Sequence, residues 1–327
     1  MQITIEKELY TMITYQDVLD AQNRIAPYIA HTPLLRVPAL DAALGCRVYI
    51  KPENFQITGS FKIRGAANAM LCLTDVQKKS GVVCCSSGNH AQGVACAARL
   101  LGLDAVIVMP ENVNPVKLAG TKSYGAKVVL AGTRSSERDE KANALVEQEG
   151  RTLIHPYAND YVRAGQGTMA IEILQDEPEI DTIVAPVGGG GMLSGIATAA
   201  KAIKPGIRIV GTEPTGASRY GASRAAQKPV WLDRVDTIAD GTRTDHADPD
   251  NFEVIERLVD TLVAVTDDDI RAAMQRTVLA AKMVAEPSSS MPLAAALSKK
   301  LKVHPDEKVC FVISGGNIDP ALLKEVL

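Results

Sequence analysis

"GVVCCSSGNHAQGVACAARLLGLDAVIVMP", residues 81–110, opens on a β-branched apolar run, passes through a polar turn into a longer helical stretch, and closes on a second apolar run. Neither short run alternates with polar residues. Near-continuous apolar strands are what burial on both faces requires, and such strands belong to parallel sheets whose crossovers are helices. The segment therefore reads as strand, helix, strand. The same cadence continues with a helix over 114–125, "AKVVLAG", a helix over 135–149 and "TLIHPY". A second series follows a helix near 167–176, with "TIVAPVGGGG", a helix over 192–203, "IRIVGTEP", then "LVAVT", a helix over 267–284 and "KVCFVISGGN". The fold class is α/β, with two open, parallel-type sheets and flanking helices. Residues 215–250 show no clean period and read as loop with short helices.

The chain has 327 residues, enough for one large or two medium cores. Its 35 Lys plus Arg against 38 Asp plus Glu leave a formal net charge of -3, no field for drawing in nucleic acid or an anionic membrane. The opening "MQITIEKELYTMITYQ" has no basic n-region or apolar h-region, and no later stretch is apolar enough to span a bilayer, so a soluble, cytoplasmic protein is expected. Cys46, Cys72, Cys84, Cys85, Cys96 and Cys310 form no C-x-x-C pair and read as small core hydrophobes in a reducing compartment. The five histidines are equally dispersed, and no metal site is expected.

Four motifs carry chemistry. "VGGGGMLSG", residues 187–195, lies between a buried strand and a helix, where bare backbone amides and the helix dipole can close on a phosphate. Two other readings stay open: a dinucleotide loop, with Glu213 as its acidic partner, or a plain turn. "SSGNH", residues 86–90, puts two hydroxyls, a glycine and an amide at a helix start, a clamp suited to a carboxylate or simply an N-cap. "SGGN", residues 314–317, follows the last strong strand and is either a ligand contact through the Ser314 hydroxyl or a tight turn. Lys62, in "GSFKIRG", leads into an apolar helical run, where an ammonium is costly unless it points outward or has work inside.

In one order, "GSFKIRGA", "SSGNHAQG", "AGQGT", "VGGGGMLSG", "EPSSS" and "SGGN" resemble the serine/threonine dehydratase and serine racemase family of fold-type II pyridoxal-phosphate enzymes, a tryptophan synthase β-like fold. The resemblance spans about residues 15–318. It implies a large cofactor-binding domain over 1–75 plus 159–327 and a small domain over 76–158 that closes on the substrate. It implies pyridoxal 5'-phosphate as cofactor, with Lys62 forming the Schiff base and Phe61 beside it. Asn89 would bind the 3'-hydroxyl, Gly188, Gly189, Gly190, Gly191 and Met192 the 5'-phosphate, Ser314 the pyridine nitrogen, with Gly315 and Glu286 near the ring. Ser86, Ser87, Gly88, Asn89 and His90 would hold the substrate carboxylate, and Lys62 would remove the Cα proton.

The implied activity is a dehydratase (ammonia-lyase) acting on small 3-hydroxy amino acids of the L-threonine and L-serine type, in a homo-oligomer of two or four chains. Serine racemase with side dehydratase activity is the alternative, since Ser87 stands where racemases carry a second acid-base group; it reads equally as another carboxylate-binding hydroxyl. Arg138 matches a position able to meet a second carboxylate, which keeps 3-hydroxyaspartate open, or it is a charge on a solvated helix. Remoter readings are a silent amino-acid-binding protein and, on the glycine loop alone, a nicotinamide oxidoreductase. Racemases of the family bind a divalent metal through a glutamate, a carbonyl and an aspartate. Glu213 and Ala217 match, but Arg219 stands at the third position, so no metal is expected and Arg219 is expected to pair with Glu213. Ser288, Ser289 and Ser290 replace a small pair after Glu286 and are expected to reshape the substrate pocket.

Overall fold

The computed structural model describes residues 12–327; the opening segment on which the absence of a leader was read lies largely outside them. Among the described residues, ten strands form two sheets: β1 (Leu35–Arg36), β2 (Arg47–Pro52), β3 (Val82–Cys85), β4 (Ala105–Met109), β5 (Lys127–Leu130), β6 (Thr152–Leu153), β7 (Thr182–Pro186), β8 (Arg208–Pro214), β9 (Thr261–Val265) and β10 (Lys308–Ile313). The larger sheet runs β1-β2-β10-β7-β8-β9 and the smaller β5-β4-β3-β6. Every pairing is parallel except β1 with β2, with Phe311 opposite Ile50 and Ile183 opposite Ile209 fixing the register. All of β4 and β7 is buried, as the unalternating apolar runs require.

Parallel strands bring their carboxyl ends to one edge, where ligands collect in open α/β sheets. Here β3 runs into Ser86, β7 into the glycine run and β10 into Ser314, while β2 leads through residues 53–61, which include the 3-10 turn Glu53–Phe55, to Lys62. Three of the four motifs are thus strand ends, and the fourth lies on the segment that follows β2.

Helix Lys62–Leu71 is seated by close contact with helix Asp160–Asp176. A Cβ on Gly165 would lie 2.7 Å from both the Arg64 carbonyl and Gly65 Cα, so the "AGQGT" motif is a crossing point of two backbones. Behind the crossing lies a buried ion cluster. Arg64 Nε donates to Glu53 Oε2 at 2.8 Å and its Nη1 to Glu172 Oε1 at 2.7 Å, while Lys51 Nζ reaches Glu172 Oε2 at 2.5 Å. Thr32 completes it, its hydroxyl on Glu53 Oε1 at 2.6 Å and its carbonyl on Lys51 Nζ at 2.5 Å. Two cations face two anions, with the remaining hydrogen-bonding positions largely filled, the condition under which buried charge is tolerated.

Two expectations change in detail. The helix expected over 267–284 stops at Arg276, continues as a π turn over Thr277–Ala281, and breaks at Lys282, whose φ of +58° turns the chain. The break returns the chain to the site, where Glu286 N donates to the Gly315 carbonyl at 3.1 Å. The helix near 167–176 begins at Asp160, capped by Asn159 Oδ1 on Val162 N at 2.9 Å. All six cysteines are free thiols, four of them buried. Among the described residues no helix is long and apolar enough to cross a membrane, and no three His, Cys, Asp or Glu side chains gather as a metal site would require.

Removing one member of the ion cluster strands an opposite charge in the interior. Glu172→Ala is expected to lower the unfolding free energy by about 3–5 kcal/mol, read by urea denaturation. A loss below about 1 kcal/mol would mean that the cluster carries no such stake.

Candidate active site

A cavity of about 490 Å³ opens between the two sheets at the shared strand edge. It is lined by Phe61, Lys62, Ser86, Ser87, Gly88, Asn89, His90, Arg138, the loop from Gly188 to Met192, Glu286 and Ser314, so nearly all the sequence-derived candidates converge on one space. Gly315 backs the same wall, donating its N–H to Ser289 Oγ at 2.7 Å.

Lys62 is the first residue of its helix, and the entry is fixed by Phe61 N donating to the Ser314 carbonyl at 3.0 Å. Its Nζ donates to the Pro156 carbonyl at 3.1 Å and stands 5.1 Å from the Phe61 ring centre. Burial pushes the amine down to about 8, with the Glu286 charge opposing the shift only in part. Glu286 moves the other way, raised to about 7 by burial and by the Asp240 charge. Its two oxygens accept from Asn89 Nδ2 at 2.8 and 3.0 Å, and Asn89 Oδ1 accepts from Asn317 Nδ2 at 2.8 Å. Asn317, quoted in "SGGN" without a role, thus orients the amide that holds Glu286.

His90 Nε2 lies 2.8 Å from the Ile154 carbonyl, so that nitrogen carries the hydrogen, and burial with the nearby Lys62 charge holds the ring neutral, its value down to about 3. Ser86 Oγ accepts from Gly88 N at 3.3 Å at the start of helix Asn89–Leu101. Ser87 lines the cavity beside it. Arg138, half-buried, also lines the cavity and donates to the Thr133 carbonyl at 3.4 Å. Of the three serines expected to reshape the pocket, only Ser288 lines it; its hydroxyl has no hydrogen-bond partner, while Ser289 and Ser290 are turned into the interior because they sit on the inner face of helix Pro287–Leu297.

The glycine loop is organised from behind. Arg219 Nη1 takes the carbonyls of Val187 at 3.2 Å and Gly188 at 2.6 Å, while Tyr220 Oη and Asn251 Nδ2 both take the Gly189 carbonyl at 2.9 Å. With those carbonyls drawn away from the cavity, the amides of the loop are left as its donors, and helix Gly191–Ile203 begins on the spot. Gly190 has φ +90°, and a Cβ there would meet Tyr220 Oη at 2.3 Å. Sequence reading gave no signal for Tyr220, Asn251 or Tyr157, whose ring packs against Gly189.

The expected Arg219–Glu213 pairing is not made. Arg219 spends its hydrogens on backbone carbonyls, adding Thr242 at 2.8 Å and Ala217, whereas Glu213 accepts from Tyr220 N at 2.9 Å and Gly221 N at 2.8 Å. Loop carbonyls and local amides lie nearer to each group than the other does. Glu213 is also committed away from the cavity, so the dinucleotide reading loses its acidic partner.

Residues 25–315 match the pyridoxal-phosphate dependent enzyme family. The chain is 42% identical over 314 residues to serine racemase of Oryza sativa subsp. indica, covering 95% of this chain and 92% of that one. It is 41% identical over 321 residues to the catabolic L-threonine dehydratase of Staphylococcus aureus (strain USA300), covering 97% and 92%. Maize serine racemase superposes with a TM-score of 0.93 at 40% identity, covering 96% of this chain and 97% of that one. The site fits the cofactor of that family, with the backbone amides of the glycine loop for the phosphate and a desolvated amine for the aldehyde.

Gly190→Ala forces the loop off Tyr220 and is expected to weaken pyridoxal phosphate binding at least tenfold, measured by fluorescence titration of the stripped protein. Unaltered affinity would take the phosphate out of this loop.

Proposed function

Because the chain belongs to the pyridoxal-phosphate-dependent enzyme family and uses pyridoxal 5'-phosphate, we propose that it is an ammonia-lyase. It dehydrates small 3-hydroxy amino acids of the L-serine and L-threonine type to 2-keto acids and ammonia. The observation that carries this reading is the convergence of Lys62, Ser86, Ser87, Asn89 and the glycine loop on one cavity, where burial lowers the Lys62 amine and so favours its uncharged form.

When bound, the cofactor supplies an aldehyde that condenses with amines and a ring that withdraws electrons from the substrate α-carbon. The chain's own residues do the rest. Gly188, Gly189, Gly190, Gly191 and Met192 would hold the cofactor's phosphate through backbone N–H groups, Asn89 would meet its 3'-hydroxyl, and Ser314 would meet its ring nitrogen. Ser86, Ser87 and the N–H groups opening helix Asn89–Leu101 receive the substrate carboxylate, with neutral His90 adding no charge. Once the substrate amine has replaced it at the aldehyde, the freed Lys62 Nζ takes the Cα proton; the β-hydroxyl leaves as water, the proton it gains matching the one removed from Cα, and the enamine product takes up one water to give keto acid and ammonia. The small unit over 76–158 closes on the larger one, excluding water from the charged α-carbon. Lys117, on helix Pro115–Ser123, pairs with Asp240 across the rim, which supports that closure.

A second reading, serine racemase, is favoured by Ser87, since its hydroxyl lines the same cavity and inversion needs a proton donor on each face. Incubation with L-serine separates the two: pyruvate and ammonia without D-serine is expected, and D-serine formed at a comparable rate would establish the racemase. L-Threonine and 3-hydroxyaspartate belong in the same panel, the latter because Arg138 lines the cavity.

Only an uncharged amine attacks an aldehyde. Covalent capture of added pyridoxal phosphate, trapped by borohydride and mapped to Lys62, is therefore expected to quicken as pH rises through about 8 and then level off. A rate still climbing toward the ordinary lysine value of 10.5 would mean that the amine is solvated.

A further inference from the structure

Ser314, at the end of β10, is the one hydroxyl of "SGGN", and its oxygen lies 2.9 Å from the Ser289 oxygen of helix Pro287–Leu297. Either could donate to the other on distance alone. A third group decides. The Gly315 backbone N–H, which can only donate, reaches Ser289 Oγ at 2.7 Å. Ser289 is wholly buried, and its own hydrogen has one oxygen within reach, that of Ser314. Were Ser314 the donor, the Ser289 hydrogen would be left without an acceptor in the interior, at the cost of a desolvated polar group. With Ser289 as donor every hydrogen is placed, and the one left over, on Ser314, turns to the cavity that Ser314 lines.

We propose that Ser289 is a positioning residue: the chain Gly315 N–H, Ser289 O–H, Ser314 O–H runs in one direction and makes Ser314 a fixed donor to the ligand atom it faces. That atom must then be an acceptor, which for a pyridine ring is a nitrogen without a proton. Each hydroxyl polarises the next, so the last donor is stronger than an isolated serine. The inference rests on the reading of Ser314 as the residue at the ring nitrogen, and it assigns a function to a side chain that touches neither cofactor nor substrate.

The test is solid-state ¹⁵N NMR of holoenzyme loaded with ring-¹⁵N pyridoxal phosphate, with cofactor affinity measured in parallel. Ser314→Ala is expected to move the ¹⁵N resonance toward that of a ring nitrogen without a donor. Ser289→Ala is expected to move it in the same direction by a smaller amount and to weaken cofactor binding about fivefold. Ser289→Cys, with a weak donor of similar size, should fall between Ser289→Ala and the native protein. Ser290→Ala, whose hydroxyl bonds only the Glu286 carbonyl, should leave the resonance in place. A resonance moved by Ser314→Ala but untouched by Ser289→Ala overturns the relay and keeps Ser314 at the nitrogen. A resonance that Ser314→Ala leaves in place removes Ser314 from the nitrogen, and the relay goes with it.

Discussion

Holding one amine out of water without a counter-ion in contact is the constraint on which the rest of this molecule depends. Helix Lys62–Leu71 carries two cationic side chains two residues apart with opposite fates. Burial works against the charge on both. For Arg64 the carboxylates of Glu53 and Glu172 outweigh it and raise the group above its ordinary value, while for Lys62 the distant Glu286 does not, and the amine falls to about 8. The paired cation fixes the helix, and the helix holds the unpaired one at the edge where β2, β7 and β10 end. A surface-exposed lysine would need no such support and would have no such chemistry.

The glycine loop meets the opposite problem, gathering donors in place of hiding one. Glycines alone would leave the loop free to turn either its carbonyls or its amides inward. Arg219, Tyr220 and Asn251 resolve this by binding the carbonyls of Val187, Gly188 and Gly189 from the far side. Burial lowers Arg219 from its ordinary value, and the Glu213 charge works against that shift without direct contact. The guanidinium therefore places positive charge behind a loop that turns backbone amides toward the cavity.

What could be read from sequence was what is local. The strand-helix cadence, the glycine run and the helix-start motif are each set within a few residues, and the parallel topology brings them together without further information. Lys62 stood out because its apolar frame conflicts with its charge. Tyr157, Tyr220 and Asn251 did not, because their work depends on contacts far away in the chain; nothing about a tyrosine at position 157 says that its ring will lie against Gly189. The Arg219–Glu213 pairing failed for a related reason: sequence gives the charges but not the backbone acceptors that compete for them. The break at Lys282 was hidden because the helical pattern of 267–284 persists past the point where the chain must turn back to deliver Glu286.

Glu286 is where groups from the two sheets' sides of the cavity meet electrostatically. Its carboxyl belongs to the larger sheet's side of the cavity, yet it is held by Asn89 from the helix that follows β3. Burial and Asp240 raise it to about 7, while Asn89, Lys117 and Lys62 act against that rise. Lys117 and Asp240 are themselves an ion pair across the rim, and Asn114 Nδ2 spans the same gap to Asp319 Oδ2 at 2.7 Å. This rim ion pair thus sets against Asp240 a charge of opposite sign and limits how far the carboxyl is raised. Within one cavity, burial thus raises the carboxyl of Glu286 and lowers the amine of Lys62, each toward its uncharged form. Both shifts come from the burial that the two sheets create between them.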